Sequence, residues 1–195
     1  PNGKGLGIIA ADFNGDRLID VFVANDGVPN FYFENVTKSI SSDAKFLESG
    51  LVQGLAVNAD GQSEASMGIL AEDLDRDGHL DLFVTNFMDE TNTLYRKVGD
   101  FGMFADATQT FGLAQPGLRM LGFGTQTIDA ELDGLPDIVV SNGHVDSYPD
   151  KKVPYRMHPQ FFHNIKGVRF QEAKAATLGP YFVGQYLGRS MAKLD

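Results

Sequence analysis

The strongest constraint on the fold is a nine-residue aspartate-rich loop that occurs three times along the chain. The copies occupy residues 12–20, 73–81 and 129–137, so the repeat period is 61 and then 56 residues. A three-residue run of Val, Leu, Ile and Phe follows each copy directly. A repeat of this length is typical of architectures in which each copy forms one supersecondary unit.

The likeness between the copies extends beyond the loops. A glycine precedes the first aspartate by five residues each time, as Gly7, Gly68 and Gly124. Two further apolar patches follow each loop, at 32–33, 94–95 and 161–162, and at 46–48, 104–106 and 170–172. Each unit therefore offers four short apolar runs separated by turn residues, which predicts four strands.

The runs at 21–23, 82–84 and 138–140 are apolar without alternation. Such strands are covered on both faces, as in the stacked four-stranded sheets of a β-propeller, whereas strands of a β-sandwich usually alternate with polar residues. The sequence therefore predicts an all-β fold, a β-propeller of four-stranded blades, in one segment over residues 1–195. Its repeats cover approximately 5–63, 64–119 and 120–186.

Residues 187–195 are expected to start a fourth repeat, because 190–195 align with 68–73 and place Asp195 at the first loop position. We therefore expect about three blades and the beginning of another, in a segment of a longer propeller. Open sheet edges are templates for pairing. Such a segment is expected to self-associate or to need its further blades.

The loops carry the ligand pattern of a calcium site. Calcium takes six to eight oxygen ligands, and side chains at positions 1, 3, 5 and 9 can converge on one ion together with the carbonyl of position 7. Eleven of the 26 acidic residues lie in the loops (three, four and four), so the net charge of −10 is concentrated there. The predicted ligands of up to three Ca²⁺ ions are Asp12, Asn14, Asp16, Leu18 and Asp20; Asp73, Asp75, Asp77, His79 and Asp81; and Asp129, Glu131, Asp133, Leu135 and Asp137.

Two other interpretations of the loops are an EF-hand and a turn that merely caps a strand. An EF-hand needs a bidentate Glu at position 12 and flanking helices, but position 12 is Val23, Val84 or Val140 and the flanks are β-rich. A turn that merely caps a strand explains one copy better than three in register. Position 6 favours glycine, and Arg17 stands there in the first loop. We therefore expect the first site to bind calcium most weakly.

Composition excludes several classes of function. The chain has no cysteine, which rules out disulfides, thiolate metal sites and cysteine nucleophiles. No apolar run is long enough to span a bilayer, and no basic stripe is present to bind nucleic acid. Motifs of serine hydrolases, zinc proteases and P-loop enzymes are missing from the sequence. These observations favour a protein that is not an enzyme.

The repeat pattern resembles the FG-GAP (VCBS) repeat family, whose calcium-loop propellers include those of integrin α-subunits. More narrowly it is similar to the ASPIC/UnbV, cartilage-acidic-protein-like group, on residues 25–30, 91–95, 141–145 and 179–181. The resemblance covers essentially the whole chain and implies a seven-bladed propeller. Phe123 and Gly124 supply the FG of the family name. Arg17 and a missing Gly-Ala-Pro segment depart from the pattern.

The connection from 143 to 159 is the main candidate for a recognition loop, because it is far longer than its counterpart at 87–91. A solvated, variable insertion is the alternative. We interpret His144 as a surface hydrogen-bonding residue rather than a metal ligand, and His163 as a packing or edge residue. Turn formation explains the recurring Asn25, Asn86 and Asn142. The polar and aromatic residues of the connection are His144, Asp146, Tyr148, Asp150, Lys151, Lys152, Tyr155, Arg156 and His158.

The sequence therefore predicts a calcium-stiffened, non-catalytic propeller that presents loops to a protein or a surface polymer. Sites of millimolar affinity function outside the cytosol, which predicts an extracellular, periplasmic or cell-surface protein. The alternatives are a polysaccharide lyase or hydrolase domain that uses Lys151, Lys152 and Arg156, and a calcium-dependent carbohydrate-binding module. A match to the glycosylation acceptor pattern occurs at 35–37.

Overall fold

The computed structural model describes residues 2–39, 43–99, 103–148 and 153–194, and most of the regular structure in these ranges is β-strand. The strands form three groups of four. They are β1 (Gly5–Ala11), β2 (Asp20–Asn25), β3 (Phe31–Asn35) and β4 (Phe46–Glu48); β5 (Ile69–Glu72), β6 (Asp81–Val84), β7 (Thr93–Val98) and β8 (Met103–Asp106); and β9 (Gly122–Ile128), β10 (Asp137–Asn142), β11 (Gln160–Ile165) and β12 (Arg169–Glu172).

Each group is one antiparallel sheet in which neighbouring strands follow one another along the chain, and we number these sheets 1, 2 and 3. The aspartate loops, called loops 1, 2 and 3, connect the first strand of each sheet to the second. The all-β class and the four strands per unit are confirmed. Three such sheets are consistent with consecutive blades of a β-propeller.

In the described part of the chain, the two largest apolar clusters lie between neighbouring sheets and hold them together. The cluster between sheets 1 and 2 contains Phe13, Phe22, Ala24, Tyr32, Leu55, Leu82, Val84, Tyr95 and Phe104. The cluster between sheets 2 and 3 contains Leu70, Leu74, Phe83, Leu94, Phe111, Leu113, Ile138, Val140, Phe162 and Phe170. Burial of these side chains is the main stabilising term in the packing of the sheets.

Strand β6 explains the apolar runs that do not alternate. Its Leu82 and Val84 point into the first cluster and its Phe83 into the second, and all three are fully buried. Sheet 2 is therefore covered on both faces, as predicted. The outer faces of sheets 1 and 3 are less covered, since Val23 of β2 and Val139 of β10 are only half-buried.

The first strands β1, β5 and β9 lie side by side along a groove of about 450 Å³. The repeated glycines permit this approach, because a Cβ on Gly7 would lie 2.2 Å from the carbonyl oxygen of Met67. A Cβ on Gly68 would lie 1.8 Å from the carbonyl oxygen of Phe123. A side chain at either position would thus collide with the backbone of the next sheet.

The segment after β12 continues this pattern beside β9. The backbone N–H of Gly124 donates to the carbonyl of Arg189 at 3.0 Å, and a Cβ on Gly124 would lie 2.5 Å from the backbone nitrogen of Met191. Residues 189–191 therefore lie against β9 in the same way that the start of sheet 2 lies against β1. Asp195, predicted to open a fourth loop, lies outside the described residues.

Among the described residues, three four-residue helices lie outside the sheets, and the repeat pattern did not predict them. They are α1 (Ala114–Gly117), α2 (Ala175–Leu178) and α3 (Pro180–Val183). The first belongs to the connection between sheets 2 and 3, and the others follow β12. Within the described ranges, no helix has the length and apolar character needed to cross a bilayer.

Replacing Gly68 with alanine is expected to lower the free energy of unfolding by about 1–3 kcal/mol, the usual cost of overpacking a filled interior. The added Cβ would meet the carbonyl of Phe123. Urea unfolding measures the change. Gly61→Ala measures backbone strain alone for comparison, because Gly61 has a left-handed φ of 73° and open space around its Cβ position. An unchanged free energy of unfolding in Gly68→Ala would contradict the proposed steric contact.

Candidate metal loops

The first aspartate of each loop organises the turn by accepting hydrogen bonds from the loop backbone. Asp12 Oδ2 accepts from the N–H of Arg17 at 2.8 Å, and Asp73 Oδ2 accepts from Gly78 at 2.9 Å. Asp129 Oδ2 accepts from the N–H of Gly134 at 2.8 Å. Position 1 therefore bonds to position 6 in all three loops, and short Asp side chains are well suited to this local bonding.

The aspartate at position 5 bonds to the backbone two residues further on. Asp16 Oδ1 accepts from the N–H of Leu18 at 2.8 Å, Asp77 Oδ1 from His79 at 3.0 Å, and Asp133 Oδ1 from Leu135 at 2.8 Å. The three loops thus share one backbone arrangement, as their sequence register predicts. Coordination by the carbonyls of Leu18, His79 and Leu135 stays a prediction.

The aspartate at position 9 is buried in every loop and is bonded on both oxygens. Its Oδ2 accepts from the backbone N–H of position 2, at 3.2–3.3 Å from Phe13, Leu74 and Ala130. Its Oδ1 accepts from a backbone N–H of the third strand, at 2.8 Å from Asn35, 3.1 Å from Lys97 and 2.8 Å from Asn164. Asp20, Asp81 and Asp137 therefore close their loops and tie each loop to its sheet.

Two positions in each loop have a left-handed backbone. At position 6 the φ angles are 71° for Arg17, 88° for Gly78 and 82° for Gly134. Position 4 is also left-handed, with Gly15 in loop 1 but Arg76 and Leu132 in loops 2 and 3. Each loop thus holds one glycine and one strained residue. Arg17 is strained as expected, but this strain does not set loop 1 apart.

Two groups of described side chains have donor atoms close enough together to hold a metal ion, each within 4.8 Å of one another. The first is Asp73, Asp75 and Asp77 of loop 2, which are three of the predicted ligands. The second combines Glu131 and Asp137 of loop 3 with His163 of β11. The sequence pattern alone did not place His163 in this group.

Arg96 of β7 reaches into loop 2 and was not predicted to do so. Its Nη2 forms a close ion pair with Asp75 Oδ2 and lies 3.3 Å from Asp77 Oδ2. The guanidinium also lies over the ring of Phe111, 5.7 Å from the centroid. A positive charge from β7 therefore lies beside the carboxylates of loop 2.

Burial raises the pKa of nearby Asp81 to about 7, and the charges of Asp75 and Asp77 add to this rise.

Arg76 links loop 2 to loop 3. From its left-handed position its Nε donates to the carbonyl of Gly134 at 2.9 Å, and its Nη2 donates to the carbonyl of Asp133 at 3.2 Å. A Cβ on Gly134 would overlap Arg76 Nη2, so a side chain at this position would displace the guanidinium. The two adjacent loops are therefore in direct contact.

His144 in the long connection is buried, with 2% of its surface exposed, so the prediction of a surface residue is wrong. Its ring packs edge-on against Phe87 and Tyr148, at centroid distances of 5.4 and 5.3 Å. Its Nδ1 lies 3.2 Å from the backbone N–H of Asp146. His144 does form hydrogen bonds, but it serves as a packing residue at the base of the connection. Asp150, Lys151 and Lys152 lie outside the described residues.

The opposite ends of the second strands carry the recurring asparagines, which are buried. The Nδ2 atoms of Asn25, Asn86 and Asn142 donate to the carbonyls of Pro29, Thr91 and His158 at 2.7–2.9 Å. Each therefore spans the connection to the third strand, in agreement with a turn-stabilising role. At Asn142 the spanned connection is the long one.

Glu64 extends this polar region at the junction of sheets 1 and 2 and was not singled out by the sequence. Its Oε2 accepts from Asn86 Nδ2 at 2.9 Å and from Thr93 Oγ1 at 2.5 Å, and its Oε1 accepts from Asn58 Nδ2 at 3.2 Å. Burial raises its pKa to about 6 despite these hydrogen bonds, and Glu90 and Asp106 contribute to the rise.

Comparison with protein families agrees with the geometry. The FG-GAP-like repeat profile matches residues 12–84 and again 73–140. The chain belongs to the FG-GAP-like repeat family. Each match begins at the first aspartate of a loop and ends at or near the end of the second strand of the following sheet. Comparison with curated proteins gave no match.

We expect Glu64 to make stability depend on pH. Its folded pKa of about 6 lies above the ordinary value of 4.5, so the folded state binds the proton more tightly between these pH values. The free energy of unfolding therefore falls as pH rises through this window, by up to about 2 kcal/mol from this residue. Urea unfolding at several pH values measures the change. With rising pH, the free energy of unfolding should fall less in Glu64→Gln than in wild type.

Asp60→Asn is the matched control, because Asp60 is exposed and its replacement removes one negative charge without touching the buried network. It should keep the wild-type pH dependence. Parallel pH profiles of wild type and Glu64→Gln would contradict the assignment.

Proposed function

We propose that this FG-GAP-like chain is a calcium-binding, non-catalytic β-propeller module that serves as a rigid scaffold for recognition. The observation that carries the proposal is the shared arrangement of the three loops. In each loop, carboxylates at positions 1 and 5 lie on one tight turn, with a buried carboxylate at position 9. Closely spaced oxygen ligands on a turn are the donor set that calcium prefers.

The residues of loop 2 fit a cation in charge and spacing, since three carboxylates approach within 4.8 Å. Like charges at this separation repel, and a divalent ion offsets that repulsion. In loop 2, Asp73, Asp75, Asp77 and Asp81 would hold calcium. In loop 1, Asp12, Asn14, Asp16 and Asp20 would do so. In loop 3 the proposed set is Asp129, Glu131, Asp133 and Asp137. The bound ion would supply rigidity to each turn.

The proposed architecture is a seven-bladed propeller, in which sheets 1, 2 and 3 are consecutive blades covering approximately 5–63, 64–119 and 120–186. Residues 189–191 would lie at the inner strand of the next blade, since they meet β9 at Gly124. The resemblance to the ASPIC/UnbV group and to the integrin α-subunit propeller supports this arrangement. Calcium sites of millimolar affinity further suggest an extracellular, periplasmic or cell-surface setting.

The surface proposed for recognition is the end of sheet 3 that carries the long connection. Buried His144 and the Asn142 side chain anchor its base. Exposed Arg156 and half-buried Tyr155 lie in the part of the connection that leads into β11. Binding residues are often found on loops that a rigid scaffold positions. A protein or an extracellular polysaccharide is the proposed partner, bound without turnover.

Saturating calcium should raise the thermal unfolding midpoint relative to excess chelator. Each ion that binds only the folded state adds RT ln(1 + [L]/Kd), which is about 2.7 kcal/mol at 100 times Kd. Asp73→Asn should lose part of the rise, whereas Asp60→Asn, with an exposed side chain outside the loops, should keep it. An unchanged midpoint in wild type would exclude the calcium assignment.

Replacing Arg96 with glutamine should strengthen calcium binding at loop 2. The guanidinium contacts Asp75 and Asp77 and repels an incoming cation. We expect Kd to fall by at least about tenfold, or about 1.4 kcal/mol, because two unit charges about 4 Å apart interact by about 1 kcal/mol even in bulk water and calcium carries two charges. Calorimetric titration should use an Asp12→Asn, Asp129→Asn background, so that loop 2 reports alone.

The control for this experiment is Arg169→Gln, which removes an exposed positive charge from β12. It should leave the affinity of loop 2 unchanged. Equal affinity in the Arg96 and Arg169 variants would mean that Arg96 does not compete with the ion.

A further inference from the structure

Loop 3 differs from the other two loops in the side chain that faces it from the third strand. In each third strand, one residue donates its backbone N–H to the position-9 aspartate. The residue just before that donor is Glu34 in sheet 1 and Arg96 in sheet 2. In sheet 3 it is His163. Loop 3 also has Glu131 at position 3, where the other loops have the shorter Asn14 and Asp75.

These two differences bring a nitrogen donor to the loop. His163 Nδ1 lies 3.3 Å from Glu131 Oε1 and 3.2 Å from Asp137 Oδ1. In loops 1 and 2 the position-3 oxygen accepts the N–H of position 5, at 3.0 Å from Asp16 and 3.2 Å from Asp77. The longer Glu131 side chain instead reaches across to the imidazole.

The group is held in place by its most buried member. Asp137 is 1% exposed and receives hydrogen bonds from the backbone N–H groups of Ala130 and Asn164. His163 is 35% and Glu131 51% exposed, so both can adjust around an ion. A fixed carboxylate with two adjustable donors can close a coordination shell without moving the sheet.

We propose that Glu131, Asp137 and His163 bind a divalent first-row transition metal ion of the Zn²⁺ type. Imidazole nitrogen suits zinc, copper and nickel, whereas calcium takes oxygen ligands. Donors at about 2.0–2.1 Å in a tetrahedral zinc shell lie about 3.3 Å apart, close to the separations between these side chains. The inference does not depend on calcium in loops 1 and 2; in loop 3, zinc would compete with the proposed calcium for Glu131 and Asp137.

The site also has room for a further ligand. Glu131 and His163 line a surface cavity of about 380 Å³, together with Phe161, Glu172 and Lys174. Three protein ligands leave a fourth tetrahedral position for water or another small donor. Loop 3 would therefore hold an accessible ion, bound beside the loop rather than within its turn.

Cobalt(II) and zinc binding test the proposal on the full chain. Co²⁺ added to metal-stripped protein should give visible d–d absorption bands, and Zn²⁺ should abolish them by displacement. His163→Gln should remove the bands and weaken zinc binding at least tenfold, because even loss of a hydrogen-bond partner of a metal ligand costs about 10–100-fold. Glu131→Gln should weaken zinc binding in the same direction.

Arg169→Gln is the control, since Arg169 is an exposed residue of the same sheet that belongs to none of the proposed ligand sets. It should retain the bands and the zinc affinity. Equal zinc affinity in the His163 and Arg169 variants, or no zinc binding by wild type, would overturn the proposal. The calcium-induced rise in unfolding midpoint should persist in His163→Gln, so a failure of the calcium assignment is recognised separately.

Discussion

The buried aspartate at position 9 is the interaction on which the rest of each sheet depends. A carboxylate removed from water is costly unless its oxygens are hydrogen-bonded. Asp20, Asp81 and Asp137 meet this requirement with one N–H from the loop and one from the third strand. Each therefore joins three segments at one point, and the loop, the second strand and the third strand hold a common register.

The fold is predictable from the sequence because the repeat is local. The loops, the apolar second strands and the close-approach glycines stand at constant offsets from one another, so one copy predicts the next. Arg96 and His163 were missed because their position depends on strand pairing across connections of variable length. The third-strand partners of the position-9 aspartates lie 15, 16 and 27 residues away, and only the hydrogen-bond register aligns them.

The burial of His144 and of Glu64 was missed for a related reason. Each lies in a connecting segment, where local pattern indicates solvent exposure. Their partners come from other units of the chain: Phe87 of the connection between β6 and β7 packs on His144, and Asn86 and Thr93 bind Glu64. Contacts between units thus override local pattern, which explains why the interior of each sheet was predictable and the junctions were not.

The contact from Arg76 to loop 3 makes the junction between loops 2 and 3 different from the junction between loops 1 and 2. The guanidinium donates to the carbonyls of Asp133 and Gly134, so loops 2 and 3 are joined by polar contacts in addition to the apolar packing between their sheets. Loop 1 has Gly15 at the equivalent position, which offers no side chain for such a contact to loop 2. Position 4 of the loop therefore decides whether neighbouring loops are tied to each other or only to their own sheets.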